Sequence, residues 1–132
     1  MVLLLVVAVP FLVVLGWHAV ASWQVFQART AELPLEKRLA AATTARAMEP
    51  WNATDRATWG YVRSQQLFAQ GRHALAVDVM AAAYKEAVGD AEMLAWFTRI
   101  QDALKLETNR KAHLQHGHEG PGGTLRPSDI ER

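Results

Sequence analysis

The sequence predicts an all-α chain in which a single transmembrane helix is followed by a short array of helices and a disordered tail. The first observation is the placement of charge, because the 13 acidic and 14 basic residues all lie after residue 28. The second is that apolar residues in 33–106 recur three or four positions apart, the spacing of helices that bury one face. No stretch alternates apolar and polar residues as a half-buried strand would, so no sheet is expected.

The uncharged residues 1–28 are interpreted as a transmembrane anchor. Val2 to Trp23 is almost entirely apolar, and as a helix it would be roughly 33 Å long, enough for a bilayer core of about 30 Å. Trp17 and Trp23 are predicted membrane-interface residues, because an indole combines an apolar ring with a polar N–H. The alternative is a cleaved secretory signal ending near Ala19-Val20-Ala21, but the apolar run is long for a signal and no basic residue precedes it.

The basic residues after the span predict the side of the membrane on which the helices lie. Arg29, Lys37, Arg38 and Arg46 all follow it, and the positive-inside rule then places the helical domain in the cytoplasm. A periplasmic or otherwise extracytoplasmic domain stays open as the alternative, because only Arg29 adjoins the span.

His18 is the candidate cofactor-binding residue of the span. An imidazole in a membrane helix can ligate the metal of a haem or chlorophyll-type cofactor. The simpler interpretation is a neutral histidine at the membrane interface, between Trp17 and Trp23, where a polar ring costs little free energy.

Residues 33–106 are predicted to form four amphipathic helices. Pro34 opens the first of them and Pro50 ends it. Gly71 and Gly89 are expected to end the second and third as C-terminal caps. The apolar stripes of the last three helices are, in order, Ala57, Tyr61, Ser64 and Phe68; Ala76, Met80, Ala83 and Ala87; and Met93, Phe97, Ile100 and Leu104.

Three tryptophans lie within this array. Trp59 and Trp96 fall on helix faces, so they are expected to pack between helical hairpins. Trp51 lies in the turn between the first two helices of the array. It is interpreted either as a staple between helices or as an exposed contact residue.

The apolar pattern fades after Leu106, and residues 107–132 are interpreted as a flexible polar tail. Glycine and proline are frequent there and leave no apolar face to bury. His113, His116 and His118 are candidate metal-binding residues, because closely spaced imidazoles can bind zinc, nickel or copper. Their Gly-rich surroundings would not hold them in one geometry, so a solvated tail is the simpler interpretation.

The composition excludes several classes of chemistry. The chain has no cysteine, which excludes disulfides, thiolate metal sites and cysteine nucleophiles. Its net charge of +1 lacks the basic excess of a nucleic-acid-binding domain. No phosphate-binding loop, HExxH pair or nucleophile elbow is present. The chain is therefore expected not to be an enzyme, and it needs no cofactor unless His18 holds one.

The second and third helices of the array resemble a tetratricopeptide-repeat hairpin. Gly71 stands where that family ends its first helix, and Ala76, Met80 and Ala83 reproduce the small, bulky and small residues of the second. The resemblance covers about residues 35–106 and implies a short α-solenoid whose groove binds another protein. The groove-facing candidates are Tyr61, Gln65, Phe68, Arg72 and Trp96.

A second resemblance concerns Pro50-Trp51-Asn52. In an Ala- and Arg-rich repeat behind a membrane helix, this phrase looks like the C-terminal region of O-antigen ligase and polymerase proteins. Those proteins are polytopic, and their glycosyl-transfer chemistry lies in parts that have no counterpart here. The resemblance therefore implies architecture and no activity.

An array of about 70 residues is short for a self-sufficient solenoid, because each repeat is stabilised by its neighbours. The sequence therefore favours a membrane-anchored interaction or scaffold subunit, an accessory component of a larger membrane complex. Its partners would be the bilayer and other protein subunits of that complex. Two alternatives stay open: a cofactor-holding small subunit of an energy-transducing complex that uses His18, and a regulator of a glycan-assembly enzyme.

Overall fold

The computed structural model describes residues 2–116, with side chains from residue 6 to residue 115. Within this range the chain forms five α-helices and no strand, which confirms the all-α expectation for the described residues. The helices are α1 (Val2–Arg29), α2 (Leu35–Met48), α3 (Ala53–Ala69), α4 (His73–Glu86) and α5 (Ala91–His116).

Helix α1 is long and apolar enough, from Val6 to Arg29, to cross a membrane. Only 6% of its most apolar window is buried inside the protein, so its apolar side chains face outward. Pro10 lies inside the helix and removes one backbone donor. Among the described residues, α1 therefore meets the length and composition that the sequence analysis expected of a spanning helix near the N-terminus.

The turns between the helices follow from residues that the sequence marks. Asn52 caps α3, because its side-chain oxygen accepts a hydrogen bond of 2.9 Å from the Thr54 N–H. Gly71 (φ 75°) and Gly89 (φ 96°) take left-handed backbone conformations after α3 and α4. Gly71 thus ends α3 where the sequence predicted, directly after the C-cap residue Gln70. Helix α4 ends earlier than predicted, at Glu86 with Ala87 as its C-cap, and Gly89 lies in the turn that follows, where the Asp90 N–H donates to the Ala87 carbonyl.

Helices α3 and α4 form an antiparallel hairpin at the centre of the fold. The side chain of Arg56, near the start of α3, pairs with Glu86 at the end of α4. Gly60 lets the two backbones approach closely, since a Cβ at this position would lie 2.6 Å from the Ala83 Cβ. The predicted stripe of Ala76, Met80 and Ala83 is buried in this contact.

The other helices pack on either side of the hairpin. Helix α2 lies between α1 and α3, where Ala41, Ala42 and Ala45 are buried. Their small side chains allow close helix–helix approach. Helix α5 packs on the other side, against α4, and buries Met93 and Ile100.

Helix α5 continues to His116, ten residues beyond the predicted end at Leu106. Charged side chains, rather than an apolar stripe, stabilise this extension. Glu107 accepts a hydrogen bond of 2.6 Å from Lys111 one turn later, and its other oxygen lies 2.7 Å from His73 Nδ1. The start of the predicted flexible tail therefore lies within a helix, and residues 117–132 lie outside the described residues.

Candidate functional site at the α1 junction

The second half of α1 packs against α2. Ala21 and Ala28 are 1% and 0% exposed, and they face the antiparallel α2. Trp17 Nε1 donates a hydrogen bond of 3.2 Å to the Met48 carbonyl at one end of this contact. Arg38 Nε donates one of 2.8 Å to the Ala28 carbonyl at the other end. From Trp17 onward, the apolar helix and the helical domain are therefore one packed unit.

Arg29 extends the junction to two further helices. Its guanidinium donates to Asp90 Oδ2 at the start of α5 (2.7 Å) and to Thr58 Oγ1 of α3 (3.4 Å). Asp90 also accepts a hydrogen bond of 3.1 Å from the Met93 N–H, so it caps α5. Burial opposes the ionisation of Asp90, but the hydrogen bonds from Met93 and Arg29 outweigh it and lower the pKa of this carboxyl group.

A histidine and two carboxylates meet where α1 passes the turn between α2 and α3. His18 Nδ1 lies 2.5 Å from Glu49 Oε1, and Asn52 donates a hydrogen bond of 3.0 Å to Glu49 Oε2. Glu49 is only 2% exposed and Asp55 only 3%, whereas His18 is 56% exposed. We call these three residues, His18, Glu49 and Asp55, the acidic junction.

Asp55 is the unbalanced member of the acidic junction. Its Oδ2 atom and Glu49 Oε1 are both buried without a hydrogen bond among the described residues, but only Glu49 Oε1 has the contact with His18. Burial raises the pKa of the Asp55 carboxyl group, the charge of Glu49 raises it further, and His18 partly offsets both. Burial therefore favours the neutral form of the Asp55 carboxyl group.

Aromatic side chains are exposed in the turn next to the acidic junction and along α1. Trp51, in the turn just after Glu49, is 69% exposed. This exposure favours the interpretation of Trp51 as an exposed contact residue over that of a staple between helices. On α1, Trp17 is 50% exposed, and the rings of the exposed residues Trp23 and Phe26 stack 5.5 Å apart.

Three of the five predicted groove residues lie largely inside the fold. The Tyr61 hydroxyl donates a hydrogen bond of 2.8 Å to Glu92, and desolvation, with the help of Glu92, raises the pKa of Tyr61 to about 12. Trp96 Nε1 donates to Ser64 Oγ (2.9 Å), and its ring meets Phe68 edge-on at 5.5 Å. These side chains join α3 to α5.

The other two groove candidates, Gln65 and Arg72, keep more exposure to solvent. Gln65 is half-buried on α3, and Arg72 is exposed just before α4. Arg72 borders a cleft of about 350 Å³ between the start of α4 and the second half of α5. We call this the α4–α5 cleft, and its lining includes Leu75, Leu104, Glu107 and Lys111.

The predicted histidine metal site falls mostly outside the described side chains. His113 lies on α5, the side chain of His116 is not described, and His118 lies beyond residue 116. Within the described part of the chain, no group of three or more histidines and carboxylates is arranged to hold a metal ion.

No family model, no curated protein and no solved structure matches this chain. The resemblances to tetratricopeptide repeats and to O-antigen ligases therefore stay expectations from the sequence. Function is argued from the junction and the cleft.

Proposed function

We propose that the chain is a membrane-anchored, non-enzymatic interaction subunit, an accessory component of a larger membrane complex. Helix α1 would be the anchor, and helices α2 to α5 would present a surface for a protein partner. The observation that carries this proposal is the junction, where an outward-facing apolar helix is bonded to three helices of the domain. Such a joint fixes a binding domain to a membrane without a flexible linker.

The exposure of α1 supports the anchor. Phe11, Leu12 and Val13 are each 63–65% exposed, on a helix that has no charged residue before Arg29. Soluble proteins rarely expose an apolar surface this continuous, because water contact with it is unfavourable. A bilayer would cover it around its whole circumference, as expected of a single spanning helix.

A short solenoid of the tetratricopeptide kind is the finer fold that we propose for α2 to α5. The close approach of Gly60 and Ala83 in the α3–α4 hairpin supports it, as does the left-handed Gly71 between the two helices. In a solenoid each hairpin stacks on the next. Helix α5 has no following helix among the described residues, and it exposes Leu94, Leu106 and Leu114.

The α4–α5 cleft is the partner-binding surface that we favour. It combines two cationic side chains, Arg72 and Lys111, with the apolar side chains of Leu75 and Leu104. An amphipathic helix or extended segment with acidic and apolar residues has the complementary chemistry. Tyr61, Phe68 and Trp96 would then support this surface from within the fold rather than contact the partner.

We place the helical domain on the cytoplasmic side, in line with the basic residues after α1. Because the chain has no cysteine, a Lys37→Cys variant carries one reactive thiol at an exposed site on α2. A membrane-impermeant maleimide should label this thiol in permeabilised cells but not in intact cells. Equal labelling of intact cells would place the domain outside.

The test of the interaction role is crosslinking in native membranes. A photoreactive amino acid replaces Leu75 in the cleft, and the matched control carries it at the exposed Lys37 of α2. Irradiation should give a discrete higher-mass adduct from position 75 and none from position 37, and the unirradiated protein should migrate as part of a larger complex in mild detergent. Migration as a monomer, with no adduct from position 75, would contradict the proposal.

One observation favours the cofactor-holding role as a second candidate. Histidines that ligate a metal through Nε2 are commonly oriented by a carboxylate at Nδ1, and Glu49 takes that position beside His18. The absorption spectrum of the protein, purified in mild detergent from its own membranes, tests this role. A Soret or chlorophyll band that disappears in a His18→Ala variant would support the role, and its absence from the wild-type protein would reject it.

A further inference from the structure

The apolar surface of α1 and the folded domain overlap along the helix axis. The domain begins at the level of Trp17 and His18, where these residues meet Met48 and Glu49. On the outer face of α1, however, exposed apolar side chains continue past this level to Phe26. Eight residues separate His18 from Phe26, about 12 Å along a helix.

In a membrane that α1 spans, this overlap would bring the turn between α2 and α3 to the level of the lipid. If lipid or its headgroups cover Trp23 and Phe26 on the outer face of α1, the turn beside His18 lies deeper in the same layer. We call this turn, residues 48–52, the α2–α3 corner. With lipid at that level, the corner could lie outside the membrane only if α1 lost its contacts with Met48 and Glu49.

The composition of the corner suits that position. Trp51 projects from it with 69% of its surface exposed, and Pro50 precedes it. The carboxylate of Glu49 is turned inward against His18 and Asn52, so it does not present its charge on this surface. Indole rings favour the headgroup region, where the apolar ring is covered and the N–H stays hydrated.

We propose that the α2–α3 corner is a lipid-binding surface that seats Trp51 in the headgroup region of the membrane that α1 spans. This inference rests on the anchoring role proposed above, and it adds a second membrane contact in the folded domain. The corner and α1 would then hold the membrane at two points. The partner is the bilayer itself, because Met48 in the corner accepts a hydrogen bond from Trp17, whose side chain is half exposed on the proposed anchor.

The test uses spin labels, since a cysteine-free chain accepts a nitroxide at one chosen site. The full chain is reconstituted in vesicles of phosphatidylethanolamine and phosphatidylglycerol, with a label at Trp51→Cys or, to retain the indole, at Ala53→Cys. The matched control is Leu106→Cys, because Leu106 (70%) is as exposed as Trp51 (69%). Trp51 lies just before α3, whereas Leu106 lies on α5 beside Glu107, which contacts His73 beyond the far end of α3. Circular dichroism verifies that each labelled chain has the helix content of the wild type.

The measured quantity is the collision rate of each label with oxygen, which partitions into lipid, relative to a water-soluble nickel chelate. We expect labels at 51 and 53 to collide more with oxygen, and the label at 106 to collide more with nickel. Equal ratios at all three sites would overturn the inference. Spin–spin broadening at 51 that disappears on dilution with unlabelled chain would also overturn it, because a second copy would then cover the corner.

Flotation of the same vesicles separates this inference from the anchoring role. If the chain fails to float with the lipid, the anchoring role itself is wrong. If the chain floats while labels at 51 and 53 stay water-exposed, the anchor stands and the lipid-binding corner is rejected.

Discussion

Two histidine–carboxylate contacts within residues 6–115 differ mainly in their surroundings. At the junction, His18 Nδ1 lies 2.5 Å from Glu49, whose side chain is 2% exposed. At the opposite end of the bundle, His73 Nδ1 lies 2.7 Å from Glu107, whose side chain is 37% exposed. The two pairs have the same chemistry and nearly the same distance, so burial is what distinguishes them.

The two pairs also differ in the charged side chain that lies beside each of them. Glu107 has a second cation, Lys111, which together with His73 lowers the pKa of its carboxyl group to about 2. Glu49 has a second carboxylate, Asp55, whose pKa burial raises. The exposed pair is therefore a favourable cluster that water already screens, whereas the buried pair depends on its histidine to offset two carboxylates.

The largest effect is expected from replacing each histidine by an aromatic ring without charge or polar atoms. A His18→Phe substitution leaves Glu49 Oε1 buried without the imidazole that contacts it, which should lower the free energy of unfolding by about 2 kcal/mol. A His73→Phe substitution retains a ring against Phe68, and Glu107 keeps Lys111 and water as partners. Its effect should be much smaller.

Thermal unfolding of the two variants in the same detergent, followed by circular dichroism, measures this difference. Equal decreases in melting temperature would mean that burial does not separate the two pairs. A neutral His18→Phe variant would show that Glu49 is satisfied without the histidine.

The next effect concerns the pH dependence of stability at the acidic junction. Asp55 has a pKa above its ordinary value of 3.8 in the folded protein. Its contribution to stability is therefore fully present below that value and is lost as the pH rises through the folded-state pKa. An Asp55→Asn variant should melt at a higher temperature than the wild type at pH 7, and the difference should vanish below pH 3.8.

Melting curves of Asp55→Asn and wild type across this pH range provide the check. Asp78→Asn, at an exposed carboxylate on α4, removes the same charge outside the junction and serves as the control for general charge effects. A constant difference between Asp55→Asn and wild type at all pH values would show that Asp55 does not titrate differently on folding.

The smallest effect is expected at the exposed pair, and its sign is opposite. The pKa of Glu107 falls from 4.5 to about 2 in the folded protein, so its contribution is present above 4.5 and is lost as the pH falls toward 2. A Glu107→Gln variant should be slightly less stable than the wild type at neutral pH and equal to it near pH 2. Salt should reduce the difference.

Amide hydrogen exchange localises this small effect. Residues 108–115 of α5 should exchange faster in Glu107→Gln, because Glu107 joins this segment to His73 and Lys111. Exchange that is unchanged there, or faster throughout the protein, would show that the pair does not hold the end of α5.

Most of the helices could be predicted from the sequence, because residues close to each boundary determine where a helix begins or ends. Pro34, Gly71 and Gly89 act through their own backbone conformations, and the stripe of Ala76, Met80 and Ala83 is a pattern within one helix. The end of α5 was predicted ten residues too early, since the helix continues there through ion pairs, which apolar periodicity does not detect.

The junction could not be predicted in the same way. His18 and Glu49 are 31 residues apart, and neither has a neighbour in the sequence that marks the contact. No pattern in the sequence marks Glu49 and Asp55 as buried, since acidic side chains are seldom buried without a partner. Tyr61, Phe68 and Trp96 were expected to face a groove, and they lie in the contact between α3 and α5. The position of α5 against α3 follows only from tertiary structure.

The hydrogen bonds that Arg29 and Arg38 make across the junction leave the chain without a hinge between α1 and the rest of the fold. With α1 as the proposed anchor, the α4–α5 cleft would be held at a set height above the lipid surface. Helix α3 separates the corner from the cleft, and its 17 residues limit that height to roughly 25 Å. The chain would then act as a spacer that admits only partners whose binding segment lies close to the membrane.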